Sequence, residues 1–342
     1  DSIEIMVYKT IEEMLFNLVW VGIDNLNRVR VSANWMWPCP KSDSYEAYLM
    51  YKAAQSLSDL CCQLNIAIDG GKDSLSMTAT NIINTNGDEH GNGDEDGNGD
   101  SEVIRSPGSL VLTGYASVPN IYVKTTPNMK PAMNESTLLL IQRDLPSKWN
   151  CNMKHCIEEM STMFNLLQYF IKQNKIIAGH DCSDGGLLAC ILEMAFAGNT
   201  GVCINIPHYI KEEDANMFLI REMSGVVIQV LNKDMQFVYS FLQKHTEQYT
   251  HVKVSPLAIP LWYDKVIIQH GINPKYNNPT HSSHSKKKKV YYTHEMTYLR
   301  SKWESTSRKL ELLQCNPKCV ESEYNLYKEF DIFNKNKYKL PV

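Results

Sequence analysis

Strand-length apolar runs alternate with helical patterns through the second half of the chain. The runs "TLLLIQRDL" at 137–145, "GVCINI" at 201–206 and "SGVVIQV" at 224–230 are short and apolar, as buried strands are. Between them, residues 160–171 and 187–198 repeat apolar side chains at helical spacing. Because both kinds of element must bury their apolar faces against one another, this alternation predicts an α+β or α/β fold.

The first half of the chain also mixes helices and strands. Helical spacing predicts a helix over Ile3–Val21, and "RVRVSANWMW" at 28–37 predicts a strand that runs into a loop. Asp43 with Glu46 three residues later is a capping-box pattern for a second helix. The run "NIAIDGG" then predicts a short buried strand that ends at the glycines.

Two low-complexity stretches and one proline-rich connection divide the chain. The segment from about residue 81 to residue 102 is rich in Asn, Gly and Asp and cannot bury enough apolar surface to fold, so we expect a disordered insertion. A polar stretch that ends in four lysines is expected to be a second insertion. Prolines between residues 119 and 131 indicate a boundary between subdomains. The predicted divisions are an N-terminal subdomain at 1–130, a C-terminal subdomain at 131–272, the second insertion at 273–289, and a final strand and helix at 290–342.

Charge and cysteine usage exclude several classes of partner. The formal net charge of -4 offers no broad positive field for nucleic acid or an anionic membrane. No apolar run approaches the roughly 20 residues of a membrane helix. The ten cysteines have no regular spacing. We therefore expect a cytoplasmic protein with reduced thiols and without nucleic-acid or membrane partners.

Glu13 and Asn17 form the first candidate site. They lie four residues apart, so on a helix both project from the same face and both offer oxygen ligands to a metal ion. A solvated surface pair has the same spacing, and the spacing alone leaves both interpretations open.

The stretch "GHDCSDGG" at 179–186 is the second candidate site. Ser183 or Asp184 could cap the helix that follows, and Gly185 and Gly186 would let a ligand approach the backbone. A helix amino terminus favours an anion such as phosphate, and Asp181 just before it could hold a divalent cation. A capped helix after a turn, without a ligand, remains the alternative.

The stretch "AIDGGKDSLSM" at 67–77 is the third candidate site. It is not a P-loop, which needs a longer loop and a hydroxyl directly after the lysine. Lys72 offers a positive charge, Asp73 a possible magnesium ligand and Ser74 a hydroxyl donor. Two glycines followed by these residues also make an acceptable turn.

These motifs together resemble the phosphoribosylformylglycinamidine synthase family of purine biosynthesis. The similarity covers most of the chain outside the two insertions, and it is carried by the following segments: "SANWMW", "AIDGGKDSLSM", "RSPGSLVLTGYASVPN", "GHDCSDGGLLACILEMAFAGNTG", "REMSGVVIQV" and "LRSKWESTSRKLELLQCNPKC". The resemblance implies an aminoimidazole ribonucleotide synthetase-like repeat unit, with an N-terminal α/β subdomain and a C-terminal α/β sandwich.

The family resemblance also implies which part of the enzyme this chain is. It looks like most of the second of two synthetase-like copies, running to the linker before a glutaminase domain. The first copy and the glutaminase are missing from the chain. The implied activity of the intact enzyme is a C–N ligase and glutamine amidotransferase, which converts formylglycinamide ribonucleotide with ATP and glutamine. We expect the isolated chain to be inactive and to bind nucleotide weakly.

Site residues follow from the resemblance only where a motif matches. "EMLFN" places Glu13 and Asn17 on Mg²⁺ ligands, and "HDCSDGG" places Asp181 on another and Ser183 on an ATP contact. The other residues expected at the ATP or ADP phosphates are Lys72, Asp73, Ser74, Gly185 and Gly186. No catalytic residue is assigned.

The resemblance implies a spatial arrangement and leaves two other functions open. We expect Glu13 and Asn17 to converge on the turn at Asp181 and to hold a magnesium-bound nucleotide that this half does not turn over alone. The alternatives are a non-catalytic remnant that serves as a scaffold, and a stand-alone ATP-using relative. Such relatives carry an N-terminal glycine-rich phosphate loop, and this chain has none.

Overall fold

The computed structural model describes residues 3–41, 43–82, 101–131, 135–143, 153–245, 252–270 and 289–328. The chain divides into two units. The first unit consists of Asp1–Leu18 and Ile23–Val118, and the second consists of Val19–Gly22 and Pro119–Val342.

Helices α1 (Ile3–Leu18) and α2 (Ser44–Leu64) belong to the first unit, with a short 3-10 helix between them at Leu26–Arg28. The Asp43 carboxylate accepts hydrogen bonds from the Tyr45 and Glu46 amides at 2.8 and 3.4 Å, which confirms the predicted start of α2. Glu46 does not complete the capping box, because its carboxylate accepts from Trp37 Nε1 at 2.9 Å.

The first unit contains a sheet in which β1 (Arg30–Met36) is the central strand. It pairs in parallel with β2 (Ala67–Ser74) and antiparallel with β5 (Ser109–Tyr115). The prediction of a buried strand ending at the glycines is wrong: β2 is exposed along its length and continues through both glycines, with an irregularity in its pairing beside Asp69. An edge strand at an uncovered sheet surface needs no apolar alternation, and the local pattern could not reveal this.

Strands β3 (Thr78–Ile82) and β4 (Ser101–Arg105) pair antiparallel as a separate ribbon in the first unit. Asn81 pairs with Glu102 and Ile82 with Ser101. The ends of the expected disordered insertion are therefore ordered strands, because pairing satisfies their backbone groups. Residues 83–100 lie outside the described residues. The second insertion, expected at 273–289, also lies outside them except for Lys289, which begins a strand.

The described strands of the second unit form one sheet in the order β12-β11-β8-β10-β6-β9-β7. Neighbours are antiparallel except for the parallel pair β8 and β11. The strands are β6 (Ser136–Arg143), β7 (Ala178–Asp181), β8 (Gly201–Ile206), β9 (Gly225–Leu231), β10 (Val252–Leu261), β11 (Val266–His270) and β12 (Lys289–His294). The helices are α3 (Met153–Lys172), α4 (Gly186–Gly198), α5 (Ala215–Ile220), α6 (Met235–Lys244), α7 (Met296–Gln314) and α8 (Pro317–Lys328), with 3-10 turns at Glu212–Asp214 and Asn232–Asp234. This mixture confirms the α+β class.

The core of the second unit lies where α4 and α5 pack on the sheet. Leu138 and Leu140 of β6 join α4 side chains such as Leu187 and Ile191 in one buried cluster. Gln229 is the main buried polar residue in β9: its amide accepts from the Lys130 N–H at 2.8 Å and donates to the Lys130 carbonyl at 2.8 Å and to Ser136 Oγ at 2.9 Å. These bonds hold the segment after residue 119 against the sheet.

Glycine at the end of the apolar run 187–198 is typical of a helix C-cap, so the sequence predicts that Gly198 closes α4. The C-cap is Asn199 in the left-handed conformation, with φ of 47°, and not Gly198. Gly198 is needed for another reason, because a Cβ there would lie 2.1 Å from the Met129 carbonyl oxygen. The close approach of two backbones therefore selects glycine at this position.

Helix α7 buries less apolar surface than its sequence pattern predicts. Met296 is buried, whereas Trp303 is 55% exposed and Leu313 is 83% exposed. The helical spacing of apolar residues over 295–314 predicts that Trp303, Leu310 and Leu313 point inward. This prediction is wrong, because periodicity identifies an apolar stripe but not whether another element covers it. A residue before proline disfavours the helical conformation, so Asn316-Pro317 predicts the end of this helix. The prediction is confirmed, since α7 ends at Gln314 and α8 begins at Pro317.

Candidate functional site

The candidate site of the second unit lies where β7 leads into α4. β7 is the edge strand beside β9, and Asp181 is its last residue. The Cys182 amide donates to the Gly225 carbonyl at 2.9 Å, which ties the turn to the start of β9. Asp181 is only 7% exposed, so its carboxylate is held in a largely water-free position.

The amino terminus of α4 is built from backbone rather than side-chain caps. The expectation that Ser183 or Asp184 caps the helix is wrong: the N-cap is Gly185, with φ of 80°, and it has no side chain that could accept a hydrogen bond. The Gly186 amide instead donates to the Ser183 carbonyl at 2.9 Å. The positive end of α4 is thus left without a carboxylate or hydroxyl from its own N-cap residue.

The local structure explains why both residues 185 and 186 are glycine. Gly185 and Gly186 adopt φ of 80° and 70°, which disfavour other residues. A Cβ on Gly186 would lie 2.6 Å from the Ile220 carbonyl and the Arg221 carbonyl oxygen. The first turn of α4 therefore packs directly on the end of α5, and this contact alone accounts for glycine at residue 186.

The Asp181 carboxylate is surrounded by polar side chains. His180 Nδ1 lies 3.2 Å from Asp181 Oδ1, and His180 Nε2 lies 3.2 Å from Glu193 Oε2 on α4. Burial favours the neutral carboxyl, but hydrogen bonding with His180, together with the Trp20 indole, outweighs burial and lowers the pKa of Asp181. Asp181 is consequently ionised at neutral pH and can act as an oxygen ligand.

His180 responds to the same cluster in the opposite direction. Burial disfavours the imidazolium, but the Asp181 and Glu193 carboxylates outweigh burial and raise the pKa of His180. The imidazole thus bridges a strand carboxylate and a helix carboxylate. Next to it, Cys190 Sγ lies 3.7 Å from the His180 carbonyl oxygen, and burial raises the pKa of the Cys190 thiol well above its usual range.

The other predicted site residues lie in the first unit. Glu13 and Asn17 are both exposed, one turn apart on the face of α1 opposite its buried side chains. Lys72, Asp73 and Ser74 lie on β2, directly opposite residues 34–36 of β1. The strand does not end at Gly70-Gly71, where the sequence pattern predicted its end. Gly71 is required by sheet packing, since its Cβ would lie 2.1 Å from the Ala33 carbonyl oxygen.

Comparison with known proteins agrees with the sequence motifs. Residues 6–117 match a family model described as the FGAR-AT PurM_N-like domain, and residues 146–252 match the C-terminal domain of AIR synthase related proteins. Phosphoribosylformylglycinamidine synthase of Dictyostelium discoideum is 30% identical over 349 residues, and that of Drosophila melanogaster is 30% identical over 364 residues. Each alignment covers 94% of this chain. The chain belongs to the phosphoribosylformylglycinamidine synthase family.

The match to members of the synthase family covers only part of their length. The chain spans 23% of the Dictyostelium and Drosophila synthases and 22% of the human one, to which it is 29% identical. Solved structures support the fold: T. maritima PurL complexed with ATP aligns with a TM-score of 0.52 and 9% identity, covering 86% of this chain and 40% of that one. The HypE-HypF complex aligns with a TM-score of 0.52 and 12% identity, over 84% and 83% of the two chains.

Three further findings concern the described residues. Within the described residues, no group of three or more His, Cys, Asp and Glu side chains is placed to hold a metal ion. The described cysteines are all free thiols. None of the described helices is long and apolar enough to cross a membrane.

Sequence reasoning missed two residues of this site. Glu193 lies twelve residues beyond Asp181, and only the fold of α4 against β7 brings it to His180. Trp20 packs on Gly179, where a Cβ would lie 2.2 Å from the indole ring. The only sign of this contact in the sequence was the glycine at residue 179, and a glycine does not show which side chain packs on it.

Proposed function

We propose that this chain supplies a magnesium-nucleotide site for phosphoribosylformylglycinamidine synthesis. In that reaction formylglycinamide ribonucleotide is converted to formylglycinamidine ribonucleotide with ATP and glutamine. The observation that supports it most is the burial of Asp181 at the end of β7, four residues before Gly185, the N-cap of α4. Relatives about 30% identical carry the synthase name.

The anion half of the proposed site is the amino terminus of α4. Its first-turn N–H groups and the positive end of the helix dipole favour a phosphate group. Ser183, which is half-buried beside them, would add a hydroxyl donor. Gly185 and Gly186 carry no side chain that could occupy the N–H groups at this helix end.

The cation half of the proposed site is a set of oxygen donors. Asp181 in the second unit, with Glu13 and Asn17 in the first, offers carboxylate and amide oxygens, which are the ligands that Mg²⁺ prefers. Mg²⁺ commonly uses one or two carboxylates together with water and substrate phosphates, so a cluster of three acidic residues is not required. When bound, Mg²⁺ would neutralise charge on the nucleotide phosphates.

Lys72, Asp73 and Ser74 enter the proposal through the family resemblance. Their strand is an exposed edge of the first unit, where the Lys72 ammonium could contact a phosphate as a point charge. We further propose that the nucleotide is held rather than turned over by this chain, and that glutamine and the remaining synthase domains complete the cytoplasmic reaction.

Titration calorimetry with Mg·ADP tests the proposed site. Asp181→Asn should weaken binding at least about tenfold, because it removes a charged ligand without changing side-chain size. Asp184→Asn is the matched control, since Asp184 is an exposed acid of the same turn, and should bind within about twofold of the natural sequence. Glu13→Ala and Asn17→Ala, measured separately, test the first-unit ligands.

Two results would overturn the proposal. Equal binding by the natural chain and by Asp181→Asn would remove Asp181 from the site. Absence of Mg·ADP binding by the natural chain would instead favour a non-catalytic remnant that serves as a scaffold.

A further inference from the structure

The imidazole of His180 joins the strand that ends at Asp181 to the helix that follows it. Its Nδ1 lies 3.2 Å from Asp181 Oδ1, and its Nε2 lies 3.2 Å from Glu193 Oε2. Both ring nitrogens therefore face carboxylate oxygens. We call His180 and Glu193 together the His180–Glu193 pair.

The two carboxylates that meet His180 belong to different elements. Asp181 ends β7, whereas Glu193 lies in the interior of α4, about two turns from the helix amino terminus. The proposed cation ligand and the interior of the helix whose amino terminus is proposed to bind phosphate are thus connected through one side chain. A displacement of α4 would move Glu193 and, through His180, the Asp181 carboxylate.

Trp20 also contacts the strand that ends at Asp181. The backbone on either side of it is fixed by Gln168 Nε2, which donates to the Val19 and Val21 carbonyls at 2.6 and 2.9 Å. The Trp20 carbonyl accepts from the Thr125 amide at 2.8 Å. With its backbone held, the indole ring packs on Gly179 and interacts with the Asp181 carboxylate.

We propose that the His180–Glu193 pair, with Trp20 behind it, consists of positioning residues that orient Asp181 and couple cation binding to phosphate binding at α4. This inference rests on the proposed function of Asp181 as a cation ligand. Partners that orient a ligand in this way typically change metal affinity by about 10–100-fold when they are replaced. The pair never touches the nucleotide in this scheme, and its effect passes through Asp181.

The test is Mn²⁺ binding to the full chain, measured by electron paramagnetic resonance with and without ADP. Asp181→Asn should abolish Mn²⁺ binding, and His180→Ala and Glu193→Gln should each weaken it about tenfold. His180→Asn keeps an amide donor near the Nδ1 position and should recover part of the loss. Glu213→Gln, an exposed glutamate paired with Lys211, is the matched control and should bind normally.

The decisive readout is the factor by which ADP raises Mn²⁺ affinity. That factor should fall in Glu193→Gln, because the connection from α4 to Asp181 is broken, whereas a general loss of stability would not change it selectively. If His180→Ala fails to fold by circular dichroism, the partly exposed Glu193 still supplies the test.

The outcomes separate this inference from the proposed function. Loss of Mn²⁺ binding in Asp181→Asn, with natural affinity and natural coupling in Glu193→Gln, would overturn the role of the pair and leave the site intact. Natural affinity in Asp181→Asn would overturn the site itself.

Discussion

Replacing Gly179 with alanine should destabilise the second unit through one side chain, the Trp20 indole. A Cβ on Gly179 would lie 2.2 Å from Trp20 Cζ3 and 2.7 Å from Cη2. Carbon atoms pack best at about 3.5–4.0 Å, so the ring would have to move by more than about 1 Å. Overpacking of this kind costs about 1–3 kcal/mol of unfolding free energy.

A double-mutant cycle with Trp20→Leu measures that cost directly. For a domain of this size, Gly179→Ala should lower the unfolding temperature by roughly 2–12 °C, followed by circular dichroism. In the Trp20→Leu background the same change should cost less than about 0.5 kcal/mol, because the indole no longer occupies the space and alanine suits a strand better than glycine. The coupling energy of the cycle is therefore expected to be about 1–3 kcal/mol.

Gly70→Ala is the matched control for this experiment. Gly70 is also a strand glycine, but a Cβ there would meet nothing within 4 Å. The substitution should leave stability unchanged or raise it slightly. If Gly179→Ala costs the same with and without the indole, the reasoning from the Trp20 contact is refuted.

Two further substitutions and one chemical modification test the packing of the chain. Gly71→Ala should cost more than about 2 kcal/mol, because its Cβ would lie 2.1 Å from the Ala33 carbonyl oxygen and the strand pairing would have to open; a neutral result by urea unfolding would contradict this. Gln229→Leu should cost about 2–4 kcal/mol by the same measurement, since it removes the side chain that bonds the partly buried Lys130 backbone groups and the buried Ser136 hydroxyl, and a cost under about 1 kcal/mol would argue against the network. Burial, reinforced by neighbouring Cys62, raises the pKa of Cys61 to about 11, so mass spectrometry should find Cys62 alkylated well before Cys61 at pH 8, and equal rates would disprove its protection.

Local patterns predicted most elements of the fold. The strands at β6, β8 and β9 and the start of α2 at Asp43 are where the sequence places them. Such features depend on side chains close in sequence, namely apolar repeats and a capping carboxylate. The motif at 179–186 likewise identified a turn between a strand and a helix, and that turn is present at the start of α4.

Most of the incorrect predictions concern contacts between distant residues. The exposed β2 and the outer half of α7 carry apolar residues that nothing in the described chain covers fully. The cap of α4 was assigned to Ser183 or Asp184 because those residues suit the role, but the helix begins at Gly185. That the ligands in the first unit meet Asp181 remains a prediction.

The sequence by itself determined the α+β class, the family and the position of the acidic turn, because each depends on the identity and spacing of residues that are close in sequence. Tertiary structure alone decided that Gly179 accommodates Trp20 and that His180 bridges Asp181 and Glu193. A periodic pattern tells which face of an element is apolar or charged. Which side chain meets that face depends on how separate elements pack, and no local pattern contains that information.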